Sequence, residues 1–135
     1  AYEIPSWDWS SDVCSSDLRA LLLLAHGSRR QSSNDEIRAL AARVRERAAG
    51  GLQLIAPAFL ELEEPSIGAA IDQAVAAGAD DILLFPLFLT AGRHVAEDIP
   101  AIVREAQARH PAVTLELKPH LGAASGLTDL VLNEL

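Results

Sequence analysis

The chain has 135 residues, half of them apolar and 22% charged, which describes a folded domain, at most with a tail, and excludes a disordered polymer. Nineteen Asp and Glu against eleven Lys and Arg leave a net charge of −8, which with only 4% aromatic residues argues against a nucleic-acid partner. One cysteine excludes an intramolecular disulfide framework and any Cys-rich zinc module, and the longest apolar run, Ala20–Ala25, is far short of the roughly 20 residues that span a bilayer.

Residues 1–18 stand apart. They hold both tryptophans, the only tyrosine and the only cysteine, Cys14, but no Lys or Arg, and the triplet Ser-Ser-Asp occurs twice. No helical or alternating period runs through them. They read as a non-native or disordered leader, with Cys14 a poor nucleophile. Residues 19–135 then form a single α/β domain, with eleven basic and fifteen acidic residues and a net charge of −4.

From residue 19 onward the pattern is regular. Ala20–Ala25 fits a strand buried on both faces. A polar loop follows, with Ser33 or Asn34 expected to cap a helix marked by Ile37, Leu40, Ala41, Val44 and Ala48 and stopped at Gly50-Gly51. Leu52–Leu60 is the second expected strand, followed by an acidic turn, Glu61–Glu64, and Pro65. Ile67, Ala70, Ile71, Ala74 and Val75 mark a second helix that ends at Gly78. Asp81–Leu89 is the third strand. Pro86 inside it lacks a ladder donor, so the strand should end or bulge nearby. Val95, Ile99, Ile102, Val103 and Ala106 mark a third helix with Asp98 as its expected cap. Val113–Leu117 is a fourth strand, and a last helix starts at Leu127.

Strands alternating with helices imply βαβ units and a parallel sheet covered by helices on both faces. The favoured topology has strand order 2-1-3-4. Such a sheet binds ligands beyond the carboxyl ends of its strands, where the order reverses, here between the first and third strands. His26 directly follows the first strand, and His94 lies on the loop after the third. Two neutral imidazoles plus one carboxylate suit a divalent transition metal, and two histidines alone make a weak, open site. Gly27 and Gly92 would let backbone approach a ligand closely. His110, ending the third helix, reads as structural, and His120 as a loop histidine on the same rim. The chain lacks G-x-G-x-x-G, G-x-x-x-x-G-K-[ST] and a G-x-S-x-G elbow around Ser28, which weakens nucleotide-binding and serine-hydrolase readings.

The runs LLLLAHGSRR, AFLELEEPSI, PLFLTAGRHVAEDIP and PHLG, in that order across residues 19–135, resemble the small sirohydrochlorin chelatases, the cobalt- and iron-inserting class II chelatases. The resemblance implies a flavodoxin-like, chelatase-like half-unit that works as a homodimer and inserts a divalent metal (Co²⁺, Fe²⁺ or Ni²⁺) into sirohydrochlorin, in cobalamin or sirohaem biosynthesis. It implies metal binding and catalysis by His26 and His94, with Glu61 as a nearby acid. The metal is then a substrate, and no organic cofactor is expected.

Metal insertion displaces two pyrrole protons, so a base must stand near the metal, and a deprotonated imidazole face and Glu61 are the available acceptors. The substrate carries many carboxylates, which a domain of net −4 would repel. Ser28, Arg29 and Arg93, on the two switch-point loops, are the expected substrate-binding residues, the two arginines as cations, with Arg30 undecided and Lys118 a further candidate. Two other readings compete. One is a metal- or tetrapyrrole-carrying module without turnover. The other is a histidine-based phosphoryl-transfer enzyme, which would want an arginine just before His26, where this chain has Ala25. Neither a membrane nor a nucleic acid is expected as partner, and the expected compartment is the cytoplasm.

Overall fold

The first strand is built from four consecutive leucines flanked by alanines, a composition stable only with side chains buried on both faces. The computed structural model describes residues 18–48 and 51–135. Residues 1–17, with Cys14, and the expected helix stop at Gly50 lie outside the described residues. The elements are β1 (Arg19–Ala25), α1 (Gln31–Arg47), β2 (Leu54–Phe59), α2 (Ile67–Ala76), β3 (Asp81–Pro86), a π-helical turn (His94–Asp98), α3 (Ile99–Arg109), β4 (Thr114–Leu117), a 3₁₀ turn (Leu121–Ala123) and α4 (Leu127–Asn133).

The four strands are all parallel and lie in the order β2-β1-β3-β4, as the alternation implied. Ala20, Leu22 and Leu24 stand in register with Leu54, Ala56 and Ala58 on one side, and with Ile82, Leu84 and Pro86 on the other. Successive side chains alternate between faces, so these residues share one face. All are buried, and Ile67, Ala70, Ile71 and Ala74 of α2 and Ile99, Val103 and Ala106 of α3 close over most of them in one core. Each fully buried leucine or isoleucine there contributes about 1.5–3 kcal/mol. The opposite face is covered by α1 above β2, where the Arg38 guanidinium lies 5.2 Å from the centre of the Phe59 ring.

Several boundaries move. Leu18, grouped by composition with the leader, is 1% exposed and packs in the core, because the buried ladder begins one turn of the pleat earlier than the apolar run suggests. α1 starts at Gln31, so neither Ser33 nor Asn34 caps it; Arg30 holds that position without a side-chain cap. Ser66 does cap α2, accepting a hydrogen bond from the Ala69 amide. β3 ends at Pro86 rather than Leu89, as the missing donor requires, although the Leu87 amide still reaches the Leu24 carbonyl at 2.7 Å. Asp98 does not cap α3, because the chain is already helical there, in the π-helical turn.

Candidate metal centre

His26 leaves the carboxyl end of β1, and its position is fixed by backbone before its side chain acts. The Leu60 and Glu61 amides donate to the carbonyls of Ala25 and His26 at 2.8 and 3.1 Å, so the strand pairing of β1 with β2 continues past the sheet. Gly27 sits at φ +91°, and a Cβ there would lie 1.7 Å from the Glu61 carbonyl oxygen. Only glycine permits that approach. The loop that follows is held from within. Asn34, 2% exposed, accepts a hydrogen bond from the Ser28 amide at 2.9 Å and donates to the Ser28 carbonyl at 2.8 Å. The side chain expected to cap a helix instead clamps the loop that carries His26.

The acidic run after β2 divides into two roles. Glu63 is tied to α1 by hydrogen bonds from Gln31 at 3.0 Å and Arg38 at 2.6 Å, and these hold its carboxyl below the ordinary 4.5. Glu61 points the other way, its Oε2 3.4 Å from His26 Nε2. It is half exposed and therefore well solvated.

His94 opens the π-helical turn after β3. Its Nε2 lies 3.3 Å from His26 Nε2, with ring centroids 4.8 Å apart and planes at 65°. The Nδ1 atoms point elsewhere: that of His26 is 3.0 Å from the Gly27 carbonyl, and that of His94 is 2.8 Å from Asp98 Oδ2. A carbonyl and a carboxylate only accept, so both Nδ1 atoms donate to them and His94 Nε2 presents a lone pair. His26 Nε2 faces that lone pair at 3.3 Å and the Glu61 carboxylate at 3.4 Å, two acceptors that a cation at this point, a proton or a metal ion, would satisfy together. With metal–nitrogen bonds of about 2.0–2.1 Å and tetrahedral angles, two ligand nitrogens stand about 3.3–3.4 Å apart. Among the described residues, no group of three or more His, Cys, Asp or Glu side chains is arranged to hold a metal ion. The pair is thus a two-nitrogen, open site.

The other expected residues fall less uniformly. Ser28 Oγ accepts a hydrogen bond from the Arg30 amide at 3.0 Å, which leaves its hydroxyl proton to donate. The guanidinium groups of Arg29, Arg30 and Arg93 are exposed and unpaired among the described residues. Lys118 is engaged with Glu116 at 3.1 Å, so it is not a spare cation of the rim. His110 bonds Asp72 of α2 at 2.6 Å, far along the chain from the site. His120 is half-buried beside Gly122, where a Cβ would meet the Leu89 carbonyl at 1.7 Å, so the PHLG loop packs directly on the segment after β3. Gly92 has open space around it and makes no close approach. Sequence reasoning passed over Asp98 in this role, although its spacing of four residues from His94 was a readable signal. It also passed over Leu62 and Leu89, 54% and 67% exposed on the two loops that bear Glu61 and His94.

Comparison with known proteins agrees with this architecture. The CbiX family model matches residues 20–135. A chloroplastic sirohydrochlorin ferrochelatase of Arabidopsis thaliana is 32% identical over 115 residues, 85% of this chain and 50% of the relative. A sirohydrochlorin cobaltochelatase of Methanococcus aeolicus is 34% identical over 86 residues, 64% of this chain and 59% of the relative. The chain therefore spans half to three-fifths of the length of these curated relatives. Among solved structures, the CbiX protein of Marinobacter aquaeolei superposes with a TM-score of 0.70 at 32% identity, covering 86% of this chain and 96% of its own. The sirohydrochlorin chelatase SirB of Bacillus subtilis subspecies spizizenii, in complex with cobalt, gives 0.75 at 27% identity, covering 86% of this chain and 49% of its own. A four-stranded sheet in the order 2-1-3-4, two imidazoles meeting at its switch point, and a family match that runs from β1 to the last residue make this chain a member of the CbiX family.

Proposed function

We propose that this domain inserts a divalent metal, Co²⁺ or Fe²⁺, into sirohydrochlorin, acting as a metal chelatase. The observation that carries the reading is the 3.3 Å separation of the His26 and His94 Nε2 atoms in a chain of this family. The two imidazoles hold the incoming ion, and having few protein ligands they release it readily. Insertion places one M²⁺ on the pyrrole nitrogens and expels two N–H protons. Glu61, solvated and beside His26, takes the two protons in turn and passes each to water. Arg29 and Arg93, unpaired on the two flanking loops, take the substrate's carboxylates, and the Ser28 hydroxyl donates to one of them. Leu62 and Leu89 offer apolar contact to the flat face of the macrocycle. Ni²⁺ shares the ligand chemistry and is a third candidate ion.

A second copy of the chain supplies the facing wall of the cleft in this reading, since one unit of this size forms a single wall. The exposed Leu130, Val131 and Leu132 of α4 are apolar surface available for association. The cytoplasm, a reducing compartment, suits a chain with one cysteine. No described helix is long and apolar enough to cross a membrane.

The test is incubation of the protein with sirohydrochlorin and Co²⁺ while the macrocycle's absorption is followed. A chelatase accelerates the spectral change over metal alone. A carrier binds either partner and accelerates nothing, which would refute the proposal. Sedimentation of a fully active monomer would refute the second copy.

A further inference from the structure

The two histidines are oriented by different means. His26 is set by the backbone carbonyl of the next residue, whereas His94 is set by a side chain, Asp98, at 2.8 Å. We infer that Asp98 is a positioning residue that fixes His94 as the Nδ1–H tautomer, with Nε2 aimed at His26. The inference deepens the proposed function, since the metal readout below rests on that reading.

Over His94–Asp98 the backbone is π-helical, and the Ile99 amide donates to the His94 carbonyl five residues back. Side chains four residues apart adjoin on a helix, and the first and last residues of this turn meet at 2.8 Å. Among the described residues Asp98 has no other employment. It makes no capping hydrogen bond, its backbone is helical, and its described side-chain partner is His94. A carboxylate can only accept, so the Nδ1 proton is specified and the Nε2 lone pair is left free. Carboxylates bonded to the remote nitrogen of a ligating histidine orient the ring and raise its basicity as a ligand, and removing them lowers metal affinity about 10–100-fold. An ordinary exposed ion pair four residues apart on a helix would do neither.

The test combines a long-range ¹H–¹⁵N correlation spectrum of the His94 ring with Co²⁺ titration followed by visible absorption, on the full chain, Asp98→Ala and Asp98→Asn. Wild type should show the Nδ1–H tautomer. Asp98→Ala should shift His94 toward Nε2–H and weaken Co²⁺ binding by about 10–100-fold. Asp98→Asn keeps an acceptor for Nδ1–H, so it should retain the tautomer and most of the affinity. A wild-type ring in the Nε2–H form would overturn the inference, as would an Asp98→Ala variant with unchanged tautomer and affinity. An Asn variant indistinguishable from Ala would do the same, because the effect would then lie in charge. If wild type binds no Co²⁺ at all, the proposed function fails, while the tautomer spectra still decide the role of Asp98.

Discussion

Among the described residues two histidines, His94 and His110, hydrogen-bond a carboxylate, and only His94 also faces a second imidazole. His94 gives Nδ1 to Asp98 and turns Nε2 toward His26, 3.3 Å away. His110 gives Nε2 to Asp72, which Arg109 also reaches at 3.1 Å, so that cluster closes on itself. Hydrogen bonding by His110, then by Arg109, holds the Asp72 carboxyl below its ordinary 3.8. The same residue pair therefore serves packing between α2 and α3 in one place and an open site in the other. Which ring nitrogen is tied, and what the free one faces, makes the difference.

The contrast breaks first at the rate of metal insertion. His26→Ala and His94→Ala should each lower the Co²⁺ insertion rate by about 100-fold or more, measured by absorption, with the far-ultraviolet circular dichroism unchanged. His110→Ala should leave the rate within a factor of two or so and lower stability by about 1 kcal/mol in urea denaturation, because its partner Asp72 is half exposed. An active His94→Ala variant would dissolve the distinction.

Next in size is the backbone weld beneath His26. Gly27→Ala drives a methyl into the Glu61 carbonyl, so the loops must part by an ångström or more. The expected loss of insertion rate is about 100-fold, with most of the helical signal retained. Asn34→Ala leaves the Ser28 amide and carbonyl without their partner and should cost about 1–3 kcal/mol in urea denaturation.

The smallest effect concerns acid. Asp72 is held below its ordinary 3.8 in the folded state, so its contribution to stability is present above that value and is lost as pH falls through the folded value. Glu63 behaves likewise from 4.5 downward. Asp72→Asn and Glu63→Gln should each flatten the fall in stability between pH 5 and the acid limit, read from urea midpoints. An unchanged acid limb in both would detach these clusters from stability.

The fold was legible because alternation is a coarse signal. Leucine runs and helical spacings gave the strand order, and the strand order placed His26 and His94 on facing loops before any distance was known. What escaped were side chains that reach backward across a loop. Asn34 has the composition of a cap, yet its carboxamide turns to Ser28, because α1 starts three residues earlier through Gln31, Ser32 and Ser33, which carry no apolar period. Asp98 was misread for a related reason: a π-turn inserts a residue into the helix without leaving a mark in hydropathy. The acidic run after β2 looked uniform, and only the reach of Gln31 and Arg38 from α1 separates Glu63 from Glu61.

The contact between Gly27 and Glu61 also makes the site mechanically lopsided. With the two backbones touching and bridged by paired amides, the β1 and β2 ends move as one block, a fixed anvil that carries His26 and its neighbouring acid. On the other side the chain is pinned at Phe88, whose carbonyl receives the Gly122 amide, and then runs exposed through Thr90 to Arg93 before reaching His94. The two imidazoles are therefore braced unequally, His26 by a second strand end and His94 by its own helical turn.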